Sequence, residues 1–304
     1  MIDLSIKNEF SSLKSVVLGL GKSIGSKPKI KEAIDPKSIS SLKNGVYPLE
    51  KDIVFALNQF KNILLKYGVE VFRPTEITDC NQVFTRDIAF VLFDKIIIPN
   101  IINERSTEQE GLRHIISLIE SKKILRTPSD VHIEGGDVIV HNDFVFVGYS
   151  EKKDFSKYKV SRTNSESLNF LKHHFPNKEI IGLELLKSDV SVFEGALHLD
   201  CCLQPLGKEN ILICFDILKN EESKLLLRNI FKSYNIIELN LQQMSNLNSN
   251  LFSISSNVIV SDVSFSYVNS KLESSGFIVE KIDYSEISKM GGLFRCSTMP
   301  LIRK

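Results

Sequence analysis

Hydrophobic and polar positions along this chain alternate between two periods. Short β-branched runs closed by turn residues predict strands, and apolar residues three and four apart predict helices. Residues 13–20 form the first strand, and the Lys-, Ser-, Pro- and Gly-rich 21–47 predicts a long surface loop. Residues 49–67 carry Ile53, Leu57, Phe60, Leu64 and Leu65 on one helical stripe, and 69–72 is a strand stopped by Pro74. The order then repeats. Strands 89–93 and 95–99, helix 104–122 and strand 124–127 make one round. Strands 137–141 and 144–148, helix 164–174 and strand 179–183 make the next. Strands 195–203 and 211–215, helix 221–234 and strand 235–239 follow, then strands 251–255 and 258–261, helix 264–275 and strand 277–282. A terminal segment from Met290 to Lys304 turns at Gly291-Gly292 and reads as a short apolar strand carrying Cys296.

Strand–strand–helix–strand thus recurs about five times at a spacing of roughly 55 residues. No Pro- or Ser-rich linker separates the units, and a linker-free array most simply closes on itself, because closure removes exposed sheet edges. The expectation is one α/β domain over residues 1–304, a radial array with pseudo-fivefold symmetry. A doubly wound sheet would alternate single strands with helices and fits less well. In a radial array strand ends converge near the axis, so short motifs from different units can meet.

Composition narrows the function. Hydrophobic residues make up 42% and charged residues 25% of 304, the balance of a soluble globular protein. A net charge of +1 leaves no field to hold nucleic acid or an anionic membrane. No apolar run approaches the roughly 18 residues of a transmembrane helix, and the first residues lack a signal-peptide layout. Five cysteines without regular spacing point to free thiols in a reducing compartment, with the cytoplasm as default. Neither paired His or Cys spacing for a metal nor a Gly-rich phosphate loop is present, so no metal and no cofactor are expected.

Four short runs carry candidate chemistry. Alone, a cysteine such as Cys296 is usually a small buried hydrophobe, but Arg295 beside it would lower its thiol pKa. His132-Ile133-Glu134-Gly135-Gly136-Asp137 brackets two glycines with carboxylates, and the glycines admit close backbone approach. In His198-Leu199-Asp200, strand alternation would put His198 and Asp200 on one face. Phe84-Thr85-Arg86-Asp87 precedes an apolar strand, with Arg86 and Asp87 on opposite faces. By the same alternation Arg295 would face away from Cys296. Together the runs supply a thiol, a histidine, a glutamate to orient it and two further aspartates, the parts of an activated nucleophile. Aspartates that are not metal ligands suit a cationic forked group such as a guanidinium.

In these motifs and their order, FTRD, EGGDV, HLD and GG-x-x-RC, the chain resembles the guanidino-group-modifying superfamily of arginine deiminases, dimethylarginine dimethylaminohydrolases and amidinotransferases. The resemblance spans nearly the whole chain. It implies the pentein fold, a five-bladed α/β propeller, and a small-molecule guanidino or ureido amino acid as partner. By resemblance Cys296 is the nucleophile, His198 the general acid and then base, and Glu134 its orienting group. Asp87 and Asp200 grip the substrate nitrogens, with Phe84 beside them. Arg105 and Arg162 are similar to family arginines that hold the substrate α-carboxylate. A lysine-rich segment, 151–160, intervenes before Arg162 and would act either as a lid or as a shift carrying Arg162 away.

Arg295 before the nucleophile and Glu134 as orienting acid resemble the hydrolases. The expected activity is a cysteine hydrolase cleaving a C–N bond of arginine, a methylated arginine or citrulline through a covalent cysteine intermediate. The alternative is an amidinotransferase moving an amidino group from arginine to an acceptor amine. A non-catalytic binding protein on the same fold, like the ribosome anti-association factor, would lack the nucleophile. A homo-oligomer is compatible with all of these readings.

Overall fold

The computed structural model of the chain describes residues 1–304. Its fifteen strands form five three-stranded sheets. The first sheet holds β1 (Leu13–Leu18) and β2 (Glu70–Phe72). The second holds β3 (Phe90–Leu92), β4 (Lys95–Ile98) and β5 (Ile124–Arg126). The third holds β6 (Val138–His141), β7 (Phe144–Tyr149) and β8 (Glu179–Glu184). The fourth holds β9 (Leu203–Leu206), β10 (Asn210–Ile213) and β11 (Asn235–Glu238). The fifth holds β12 (Phe252–Ser253), β13 (Val258–Asp262) and β14 (Ile278–Ile282), and β15 (Thr298–Arg303) returns to the first.

Each sheet repeats one plan: the middle strand pairs antiparallel with the strand before it and parallel with the strand after it. A parallel return requires a crossover, and helical segments supply it, α-helical in four sheets and mostly 3₁₀ between β4 and β5. The ring is completed by the chain ends, since β15 pairs antiparallel with β1 through Val16–Pro300, Val17–Met299 and Leu18–Thr298. The fold is thus the five-unit α/β array expected from the repeat.

Helix Glu50–Lys66 buries Ile53, Leu57, Phe60 and Leu64 of the predicted stripe, with Ala56 and Ile63 beside them, whereas Leu65, also expected there, turns to solvent. Phe60 lies edge-on against Phe252, Tyr284 and Phe294, with ring centroids 5.6, 5.8 and 5.3 Å away. Tyr284 stacks on Phe294 at 4.3 Å and its hydroxyl lies 3.0 Å from Ser297 Oγ. These contacts hold the segment around Cys296 from below.

Four local readings are corrected. Residues 21–47 are not all loop: Asp35 accepts N–H bonds from Lys37 and Ser38 and starts a helix, Pro36–Lys43. The stretch expected as helix 104–122 is a 3₁₀ turn series, Asn103–Leu112, then a short α-helix, Arg113–Ile116. The 3₁₀ repeat brings residues three apart into line, and buried Arg105 pairs with Glu108 on that spacing. Phe84–Asp87 does not run into its strand extended, because Thr85–Ile88 is a helical turn. Nor is 195–203 a strand throughout: Leu199–Cys201 is a 3₁₀ turn and β9 starts at Leu203.

One relationship follows from the repeat. Asp87, Glu134, His198 and Asp200, and Cys296 each lie in the turn just before the first strand of a sheet: β3, β6, β9 and β15. Five such turns surround the axis, and four of them carry the predicted chemistry.

Candidate active site

A cavity of about 540 Å³ opens between these turns and residues 24–47. Its wall includes Phe84, Asp87, Arg105, Arg162 and Cys296, together with Asp35, Tyr47 and Gly291-Gly292. Glu134, His198 and Asp200 lie behind that wall, each 0–1% exposed.

The imidazole is clamped between carboxylates. His198 Nε2 donates to Glu134 Oε2 at 2.9 Å, and Nδ1 lies 3.6 Å from Asp87 Oδ1. Burial alone would lower the His198 pKa, but the charges of Asp87, Asp137 and Glu134 overcome it and push it up to about 9. Glu134 is also buried, yet Arg162, His198 and Arg105 hold its carboxyl well below the usual range. Gly136 is what lets these groups meet: a Cβ there would sit 2.6 Å from His198 Nδ1 and 2.8 Å from Asp87 Oδ1. Asp137 accepts the Leu199 N–H at 2.9 Å, so the HIEGGD run fixes the HLD turn of the next unit.

Asp87 Oδ2 accepts from Arg105 Nη1 at 2.7 Å, while Oδ1 has no hydrogen-bond partner although buried. Arg105 grips Glu108 through two bonds of 2.8 Å and also donates to the Phe84 carbonyl. Arg162 reaches Glu134 at 3.3 Å and donates to the Lys159 and Ile34 carbonyls, 2.8 Å each. Both arginines are buried, so neither is a solvated surface charge. Residues 151–160 do not carry Arg162 away: they form a helix, Lys152–Lys157, and Asp189 accepts the Lys159 and Val160 N–H groups behind it.

Cys296 is not on a strand but in the turn before β15, so the alternation that set Arg295 against it does not apply. Both side chains meet Asp200. Its Oδ2 accepts from Arg295 Nη1 at 2.9 Å and faces Cys296 Sγ at 3.6 Å. Arg295 is further tied to Glu9 at 3.1 Å and to the Val138 carbonyl at 2.7 Å. The guanidinium is therefore spent on two carboxylates and does not lower the thiol. Burial, then Asp200 and Asp87, push the Cys296 pKa well above its ordinary value.

Asp87, Glu134 and His198 each offer a metal-ligating atom within 4.8 Å of the others. Arg105 and Arg162 already neutralise the two carboxylates, so the cluster is occupied by ion pairs. Glu9 and Asn250 escaped the sequence reading. Glu9 stands in an N-terminal stretch without periodicity, and Asn250 just before the predicted strand 251–255, in a stretch that carries no motif.

The family model described as N,N dimethylarginine dimethylhydrolase, eukaryotic, matches residues 51–303. The protein YkgA of Bacillus subtilis (strain 168) is 33% identical over 223 residues, 73% of this chain and 70% of that one. Among solved structures the chain is similar to SxtG, an amidinotransferase from Microseira wollei, with TM-score 0.78, 18% identity and coverage of 99% and 97%. The N-terminal domain of ArgZ, an arginine dihydrolase of Cyanobacteria, gives 0.77 at 17% identity, covering 96% and 98%. DDAH from Pseudomonas aeruginosa, complexed with citrulline, gives 0.69 at 16% identity, covering 95% and 99%. At these identities the three structures speak for the fold, and the family follows from the model that spans most of the sequence. The chain belongs to the family described as N,N dimethylarginine dimethylhydrolase, eukaryotic, within the pentein superfamily of guanidino-group-modifying enzymes.

Proposed function

We propose that the chain is a cysteine hydrolase cleaving a C–N bond in the guanidino or ureido group of arginine, a methylated arginine or citrulline. The observation that carries this reading is the unpartnered Asp87 Oδ1 on the wall that also holds Cys296, with the His198 imidazole 3.6 Å behind that oxygen. A buried carboxylate oxygen without a donor matches a guanidinium N–H, and bringing that cation beside the thiol favours the thiolate. In this scheme the Cys296 thiol gives its proton to solvent as the cationic substrate binds, the thiolate Sγ bonds to the guanidino carbon, and the C–N bond to the departing amine breaks, the amine taking its proton from imidazolium His198. Neutral His198 then accepts a proton from water, whose oxygen bonds to the same carbon as the C–S bond breaks. Glu134 orients the imidazole throughout, Arg105 fixes Asp87, and Arg162 fixes Glu134.

Hydrolysis is favoured over amidino transfer by the family model and by Glu134 and Arg295 in the motifs. The likeness to an amidinotransferase structure is a likeness of fold. The test is a panel of arginine, methylated arginines and citrulline, each with and without glycine or lysine as acceptor. Ammonia or methylamine with citrulline, or ornithine with ammonia, supports hydrolysis. Ornithine with a new guanidino compound, only when acceptor is present, means transfer.

A further inference from the structure

The ring has five turns of the same kind, and four carry Asp87, Glu134, His198 with Asp200, and Cys296. The fifth lies before β12 and contributes Asn250, which is fully buried. Its amide is engaged on both sides with Cys296. The Cys296 N–H donates to Asn250 Oδ1 at 3.2 Å, and Asn250 Nδ2 donates to Cys296 Sγ at 3.1 Å. The orientation of that amide is not arbitrary. A backbone N–H can only donate, so the atom facing it is the oxygen, and the amino group must turn to the sulfur. The Asp200 carbonyl, 3.5 Å from Nδ2 and also accepting from Ser249 Oγ at 3.0 Å, requires the same orientation.

We propose that Asn250 is a further catalytic residue, the neutral donor that stabilises the Cys296 thiolate as it forms and attacks. This rests on Cys296 being the nucleophile. The need for such a donor follows from what surrounds the sulfur. The nearby carboxylates Asp200 and Asp87 oppose a second negative charge, and Arg295 is committed to Glu9 and Asp200. Asn250 is the donor placed against Sγ. A neutral amide stabilises the anion without an added proton equilibrium, and a fixed donor needs no reorganisation during attack.

The test uses the full chain with Asn250→Asp and Asn250→Ala. Asn250→Asp changes one group, keeps an oxygen for the Cys296 N–H and replaces the donor by a carboxylate. The direct readout is the pH dependence of Cys296 alkylation by iodoacetamide, followed on the Cys296 peptide by mass spectrometry without substrate. Removing the donor should move the midpoint upward by about one to two pH units, so alkylation at pH 8 falls about 10- to 100-fold. Turnover should fall about 10²-fold or more with KM changed less than about threefold. An unchanged alkylation profile in either folded variant overturns the proposal, as does a loss confined to KM. If Cys296→Ser retains turnover, the hydrolase mechanism fails instead, whatever the alkylation profile reports.

Discussion

Arg295 and Asp200 form a fully buried ion pair of 2.9 Å, and the oxygen that accepts it is the one facing the Cys296 sulfur. Glu9 closes the other side of the guanidinium, so one arginine links the N-terminal stretch, the HLD turn and the terminal cysteine. Arg295→Met should destabilise the fold by about 3–5 kcal/mol, because two buried carboxylates lose their partner. Urea unfolding checks this, and a loss below about 1 kcal/mol would mean the pairs contribute little. Arg295→Lys should also lose stability, since a single ammonium cannot span both carboxylates.

Cys296→Ser should abolish turnover while the melting temperature stays within a few degrees of the parent. The hydroxyl nearly preserves volume and can still take the Asn250 and Asp200 contacts. Assay of ammonia and citrulline release beside a thermal melt decides it. Retained activity removes the covalent mechanism.

The pH dependence has a definite sign. His198 ionises at about 9, raised against its burial by Asp87, Asp137 and Glu134, while the Cys296 thiol ionises well above its ordinary value. If attack needs thiolate with imidazolium, that pair is a minority form below pH 9 and grows with pH. The expectation is that kcat/KM rises up to about pH 9 and then levels. In Glu134→Gln the His198 pKa falls, and the break should move to lower pH. Imidazole titration by NMR reads the same shift directly. A break that stays in place would separate His198 from the chemistry.

The same ionisation links to stability. A histidine raised from 6.5 to about 9 favours the folded state fully below pH 6.5, and its contribution is lost as pH rises through 9. His198→Gln should therefore flatten the stability profile between those values. A profile identical to the parent's would mean that other groups govern that window.

Gly136→Ala should cost both stability and activity. Its Cβ would press on His198 Nδ1 and Asp87 Oδ1, neither of which can retreat from Glu134 and Arg105. Turnover should drop by more than tenfold, and a parent-like rate would show that the approach is not needed.

Much of this molecule was legible in its residues. Period-two and period-3.6 runs gave the repeat of strand, strand, helix and strand, because core-facing positions must be apolar wherever the units pack. The stripe from Ile53 to Leu64 and the β10–β11 pair lie where their patterns put them. The four motifs were visible because glycine pairs and polar residues interrupt apolar runs at the points where chain turns toward the axis. What local pattern misreads is the geometry at those turns. Thr85–Ile88 and Leu199–Cys201 are helical turns and Arg295 lies in the turn before β15, so strand alternation could not say which way Asp87, Asp200 or Arg295 points.

Ring closure and the charges around the sulfur belong to the tertiary structure. Glu9 and Arg295 stand 286 residues apart yet share a guanidinium, and Asn250 sits 46 residues from the thiol it contacts. Sequence proximity suggested that Arg295 would lower the thiol pKa. Packing instead gave that cation to Glu9 and Asp200 and left the sulfur beside carboxylates. The residues determined which groups were available and how often the unit repeats, since both are local properties of composition and period. Which donor faces which acceptor was decided only when five distant turns were brought to one axis, because electrostatic and hydrogen-bond energies depend on separation in space.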